Sequence, residues 1–370
     1  MNAIIFDKVF PCLALILFSL CEVFQGQSFI VLGFFLVLPY FFRQWRIGRF
    51  YVKGTYVRPF LLLTILGGLL NMPLTGYGIG GLLLTVAMIG LAVFCIDNPK
   101  ICIYVSLFLL LYTFYFLYKS IFVYNIELNS LYGSLGLSKN YPGFLIVGYT
   151  VFYALNKYRV YRRLPLLLPL VGVYFAFWLD GRSSFGIMIL LSLFCVLKNA
   201  NNKYYNYFVL IAFVSLFLFF FNFLLGYYEM SRLSEGVESS RSKIWSVYFE
   251  YMDFPNFILG CDSASFPIIN QYGGNPHNSF LNFHHRMGII GFLTFIYIIF
   301  VSIKKYITQR KFIILVLMLF LMARMFFDSV IVANHDFIFY SFMFLPFLEK
   351  NKCILLNEEK NNMNILLKLL

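Results

Sequence analysis

The chain's 370 residues are 61% hydrophobic and 12% charged, about half the charged fraction of a soluble domain. No water-soluble core of this length has room for so much Phe, Leu and Ile, so lipid has to cover much of the surface and a single soluble globule is excluded. The net charge of +13, from 29 Lys and Arg against 16 Asp and Glu, would suggest nucleic acid in a soluble protein. In a membrane protein it indicates basic cytoplasmic loops instead, and no nucleic-acid partner is expected.

Apolar runs fall near 9–24, 28–42, 59–72, 78–96, 101–123, 143–156, 164–180, 183–198, 205–227, 287–303, 312–327 and 337–348. They predict an all-α fold: a polytopic transmembrane bundle of about 12 helices with one large external loop. Several runs are shorter than the roughly 20 residues of a perpendicular span, so their helices extend into the connections. The first run, Val9 to Val23, lacks an A-x-A cleavage site and the small residues before Cys21 that a lipoprotein signal needs, and reads as a retained helix. The seven cysteines form no CxxC, and Cys261 stands alone in the polar segment, so no disulfide framework is expected.

Basic residues set the orientation. With a cytoplasmic N-terminus, the even-numbered connections and both ends of the chain hold 21 of the 29 Lys and Arg residues, among them Arg43, Arg46, Arg49, Arg159, Arg162, Arg163, Lys304, Lys305 and Lys311. This bias predicts both termini on the cytoplasmic side. Residues 1–227 then carry helices one to nine, 228–286 form a periplasmic loop with short helices, and 287–370 carry helices ten to twelve and a cytoplasmic tail.

The external loop is far longer than a simple connection. It holds Trp245, Tyr248, Phe249, Tyr251, Phe254, Phe257 and Phe266, which is too aromatic for a disordered segment. Ser239 to Met252 reads as a short amphipathic helix with Ile244, Val247, Tyr248 and Tyr251 at helical spacing. Pro255, Gly260, Pro267, Gly273, Gly274 and Pro276 then break the chain into turns.

Three external clusters could carry chemistry. Asp180-Gly181-Arg182-Ser183-Ser184 is a tight turn between two apolar helices. Its Arg182 suits either a snorkelling interfacial anchor or an anion site at the start of the following helix. Ser240-Arg241-Ser242-Lys243-Ile244-Trp245 follows; viewed alone, Arg241 and Lys243 read as the solvated face of a loop helix. The third runs from Asn275-Pro276-His277-Asn278-Ser279-Phe280-Leu281 to His284, His285, Arg286 and Gly288-Ile-Ile-Gly291. Asn278 is a good N-cap for the next helix. His277 is either a polar loop residue or a proton acceptor near neutral pH. A metal at His277, His284 and His285 is not expected, because adjacent histidines diverge by about 100° on a helix and no further ligand stands at the right spacing. Asp328 and His335 flank the last external turn as an acid/base pair or as interfacial polar residues.

Taken in order, these clusters resemble the O-antigen polymerase and ligase superfamily, which builds bacterial surface polysaccharides. The resemblance lies in Ser240-Arg241…Trp245, Leu259-Gly260…Phe266, His277-Asn278-Ser279-Phe280-Leu281 and Gly288-Ile-Ile-Gly291, preceded by Gly181-Arg182-Ser183-Ser184. It covers roughly residues 178–295. The turn departs from the Gly-x-Gly common in that family, since this chain has Gly260-Cys261-Asp262.

The resemblance implies a multi-pass enzyme of the bacterial inner membrane. Such an enzyme moves a glycan from undecaprenyl pyrophosphate to a sugar hydroxyl at the periplasmic face, with no cofactor and no metal. It implies Arg182 and Arg241 as phosphate clamps, which guanidinium geometry suits, and His277 as the base or the acceptor-positioning residue. Lys243, Trp245 and Asn278 would line the pyrophosphate and glycan site. The implied partners are the undecaprenyl-pyrophosphate-linked oligosaccharide, membrane lipid and a regulator of chain length. Within the family a polymerase is favoured over a ligase acting on lipid A core. A lipid-linked oligosaccharide flippase is the alternative outside it, although transporters place ionisable residues near the bilayer midplane, where these apolar runs hold few.

Overall fold

The computed structural model describes residues 5–24, 27–51, 56–75, 79–123, 140–179, 182–199, 240–271, 274, 276–327 and 335–349. The run 205–227, with Asp180, Gly181, Gly273, Asn275 and Asp328, lies outside them. Among the described residues all regular structure is helical. Helices α1 (Phe10–Phe24), α2 (Gln27–Arg46), α3 (Val57–Thr75), α4 (Ile79–Asp97), α5 (Pro99–Tyr118), α6 (Asn140–Tyr161), α7 (Leu167–Trp178) and α8 (Arg182–Asn199) come first. Three short helices follow: α9 (Ser240–Glu250), α10 (Phe254–Leu259) and α11 (Pro267–Asn270). Then come α12 (Ser279–Thr308), α13 (Phe312–Phe326) and α14 over 336–349. Every predicted apolar run within the described residues is occupied by a helix. Helices α2, α4, α5 and α12 are long and apolar enough to cross a membrane, and α3, α7, α8 and α13 are shorter apolar helices.

Helix α14 is the central post. Residues 335–348 are all buried, as expected of a helix that is apolar all round, with Phe337, Phe339, Phe342, Phe344 and Phe347 on every side. Pro346 has no N–H for the carbonyl of Phe342 four residues earlier. The Tyr306 hydroxyl of α12 donates to that carbonyl at 2.5 Å instead. Ser302 Oγ donates to Met343 O at 2.8 Å on the same pair of helices. The neighbouring helix repairs the gap that the proline leaves.

Helix α12 packs most extensively against α3. A Cβ on Gly67 would sit 2.4 Å from Met287 O and 3.1 Å from Gly291 N, so the two backbones meet at a contact only a glycine allows.

The helix ends sort into two groups. At one end Arg159 donates from Nη2 to Ile96 O (2.7 Å) and Lys311 Nζ pairs with Glu349 (2.6 Å). Arg49 pairs with Asp97 there, and Asn199 forms a two-way bridge with the Leu164 backbone at 2.8 and 2.6 Å. The last turns of α2, α4, α6, α8, α12 and α14 therefore meet at one end, together with Arg49, Arg159 and Lys311 of the predicted cytoplasmic set. The opposite end carries the short helices α9–α11.

Candidate functional site

The described residues between 240 and 278 form a small cap with a core of its own. Ile244, Tyr248, Cys261, Phe266 and Ile269 are buried together, backed by Trp245, Val247 and Leu281. The predicted helix over Ser239–Met252 is found as α9, with Ile244 and Tyr248 one turn apart as its buried stripe. Tyr251 falls past the helix end, exposed, with its ring against Phe266 at 5.5 Å. The chain turns there because Asp253 caps α10: its Oδ1 accepts from Asn256 N (2.8 Å), with Pro255 in the first turn.

Two histidines fasten the cap to α12. His284 Nε2 donates to Phe257 O (2.9 Å), which fixes the proton on that nitrogen and leaves Nδ1 to accept from the Tyr248 hydroxyl (2.8 Å). His285 Nδ1 donates to Cys261 O (3.2 Å), while Cys261 N donates back to His285 O (3.2 Å). Arg286 Nε donates to His285 Nε2 (3.2 Å). These side chains, weighed from the sequence only as metal ligands, are the joint between α9, α10 and the bundle. Burial pushes the Cys261 thiol up to about 11 and raises the Tyr248 phenol above its ordinary range. Among the described residues no group of three His, Cys, Asp or Glu side chains is placed to hold a metal ion.

Two glycines complete the joint. Gly260 (φ 87°, ψ 179°) and Gly288 (φ 61°, ψ −173°) both occupy a region that only glycine adopts freely. A Cβ on Gly260 would lie 2.5 Å from His285 O and 2.6 Å from Asn71 Nδ2; one on Gly288 would lie 2.8 Å from Ile258 O. Gly288 thus divides α12 into a short outer piece, Ser279–Met287, and a long apolar piece below it.

The sequence-predicted site residues are arranged around this joint. Asn278 caps α12 as expected, its Oδ1 accepting from Phe280 N (2.9 Å) and Leu281 N (3.3 Å), and it is buried. Just before it, His277 takes a positive φ of 49° and is partly exposed. Trp245 Nε1 donates to Pro276 O, the residue preceding His277 (3.0 Å). Arg241 lies one turn before Trp245 on the same face of α9, so that face is turned toward the Pro276–His277 segment. Lys243 is exposed.

Arg182 is the first residue of α8. The Trp245 ring meets Phe326, at the end of α13, edge-on at 5.2 Å, and α13 packs against both α6 and α8. At the starts of those two helices, a Cβ on Gly143 would fall 2.6 Å from Ser184 Oγ. Arg182, Arg241 and His277 therefore share the cap end of the bundle; Lys243, Trp245 and Asn278 lie there too.

His335 stands in the turn that opens α14, flanking the last external connection as expected, but its side chain is not interfacial. It is buried beside Phe144, with Nδ1 3.0 Å from the Tyr149 hydroxyl, which itself donates to Ser19 Oγ at 2.9 Å. Tyr149 of α6 lies 186 residues from His335 along the chain, and Ser19 of α1 a further 130 from Tyr149, so no local sequence signal announces this chain of contacts.

A comparison of the chain with protein-family models, with curated proteins and with solved structures gives no match in any of the three.

Proposed function

We propose that this chain is a glycosyltransferase of the bacterial inner membrane that polymerises undecaprenyl-pyrophosphate-linked repeat units of a surface polysaccharide at the periplasmic face. The observation that carries the reading is the folded cap. It is pinned at one end of a helical bundle, where Trp245, one turn after Arg241 on α9, donates to Pro276 O beside His277 and α8 opens with Arg182. The opposite end gathers Arg49, Arg159 and Lys311, which supports an orientation with that end cytoplasmic. In this reading the chain crosses the bilayer about twelve times, and both termini are cytoplasmic.

The proposed reaction needs few protein groups. An acceptor sugar hydroxyl attacks the anomeric carbon of the donor, the bond from that carbon to the pyrophosphate oxygen breaks, and undecaprenyl pyrophosphate departs with the electron pair. Arg182 and Arg241 stabilise the charge growing on the leaving group through bidentate guanidinium contacts. The N-terminus of α8 adds its backbone N–H groups and partial positive charge at Arg182. His277 receives the hydroxyl proton. Asn278 holds His277 in place through the cap, and Trp245 holds α9 against Pro276.

The test is genetic and biochemical together. Arg182→Ala, Arg241→Ala and His277→Ala should each reach the membrane in normal amount and eliminate long-chain polysaccharide. Normal chain length in all three variants would sink the assignment.

A further inference from the structure

Helix α10 carries two aromatic side chains that the cap's own core does not use. On α10, Phe254 is 77% exposed and Phe257 46% exposed. They stand three residues apart and so share one face of the helix. The far end of α10 is held to the bundle: Ile258 O and Leu259 O lie against Gly288, Gly260 is wedged beside Asn71, and Phe257 O accepts from His284. Helix α10 is thus fixed at the outer end of the seam between α3 and α12.

Below it the seam presents an apolar band. Leu66, Leu69 and Leu70 of α3 and Leu293 of α12 are each about half exposed. The band continues into an open apolar groove of about 290 Å³ between Tyr56, Phe60, Leu63 and Tyr297. In a spanning bundle such a band faces acyl chains. Phe257 stands at the upper edge of the band: its ring is 5.9 Å from that of His284, which lies 5.7 Å from Phe292, one turn past Gly288. The exposed face of α10 is therefore continuous with the lipid-facing surface at the level where a bilayer collects aromatic side chains.

We propose that α10 is an interfacial helix whose Phe254 and Phe257 insert into the outer leaflet and fasten the cap to bulk bilayer lipid at the outer end of the α3–α12 seam. A short apolar face flanked by polar residues is the form that lies in the membrane plane without crossing it. The inference rests on the bundle spanning a bilayer with the cap outside, and it adds which part of the cap touches lipid. A lipid-linked substrate arriving sideways through the outer leaflet would meet the cap at this helix.

The test places photoreactive benzoylphenylalanine singly at Phe254, Phe257, Leu293 or Gln271 of the full-length protein in phosphatidylcholine vesicles free of polyprenyl lipid. Adducts are identified by mass spectrometry after irradiation. Phospholipid adducts are expected at 254 and 257 in yield comparable to Leu293, with only background at Gln271, which is exposed on the cap. Adducts at Leu293 without any at 254 and 257 would overturn the inference and leave the spanning bundle standing. Absence at Leu293 as well would overturn both. A cross-link from 254 to a second copy of the chain, or equal labelling at Gln271, also refutes α10 as the lipid anchor. None of these readouts depends on glycosyl transfer, so the outcome is independent of the proposed activity.

Discussion

Replacing Gly288 with Ala should undock the cap. Two costs are visible at that position. The backbone sits at φ 61° and ψ −173°, where a residue with a Cβ is strained by about 1–3 kcal/mol. The new methyl would also fall 2.8 Å from Ile258 O and 3.0 Å from both Leu259 O and Asn71 Nδ2. Two of these are backbone atoms that cannot turn aside, and overpacking of this kind costs about 1–3 kcal/mol more. A combined loss of about 3 kcal/mol raises the undocked population on the order of a hundredfold, at tenfold per 1.4 kcal/mol. Cys261 reports it. The docked thiol is buried and its pKa is pushed up to about 11, so at pH 8 it carries almost no thiolate. In an open cap it returns toward about 8.5 and becomes reachable. Alkylation at Cys261, located by peptide mapping, should accelerate about a hundredfold in Gly288→Ala at pH 8. The control is Gly186→Ala, where the added Cβ meets nothing within 4 Å. Equal Cys261 rates in the two variants would refute the joint.

The same reporter grades the histidine clamp. Tyr248→Phe removes one hydrogen bond to His284 and should cost about 1 kcal/mol, roughly a fivefold faster alkylation. His284→Ala breaks the bonds to both Tyr248 and Phe257 and should exceed it. In the bundle, Tyr306→Phe leaves Phe342 O without its donor and should lower stability by about 1–3 kcal/mol in thermal unfolding of the detergent-purified protein. At the opposite end, burial alone would raise the Glu349 carboxyl, but Lys311 and Arg159 outweigh it and hold its pKa below the ordinary value. A depressed folded pKa means the stabilisation is present above the unfolded value of about 4.3 and is lost as pH falls through the folded one. Wild type should therefore lose its advantage over Glu349→Gln on acidification below about pH 5. The difference should stay within about 1 kcal/mol because the Glu349 side chain is 38% exposed.

What the sequence made legible was whatever depends on neighbours along the chain. The apolar runs, the Asn278 cap and the Ile244/Tyr248 stripe of α9 each rest on residues within a turn or two, and local chemistry determines them. The position of Trp245 was legible as a marker, but not its bond to Pro276, 31 residues away. His284 and His285 were opaque for the same reason: their partners Tyr248 and Cys261 lie 36 and 24 residues off. The Gly288-Ile-Ile-Gly291 stretch stands at the start of the apolar run 287–303. It proved to be a break in a longer helix, because Asn71 of α3 and the carbonyls of α10 press on Gly288 from two other segments. The last helix was legible as an apolar run, yet nothing local marks it as the central post; that follows only from what surrounds it.

The most direct test of the proposed function is chain growth in a purified system. The protein is reconstituted in vesicles with undecaprenyl-pyrophosphate-linked repeat units as the sole glycan, and the lipid-linked products are resolved by length. The expected result is a ladder of longer lipid-linked glycans from the wild type and none from Arg241→Ala. Growth that appears only when lipid A core is added would make the chain a ligase. No transfer to either acceptor, from protein whose Cys261 remains protected and whose cap is therefore docked, would contradict the account.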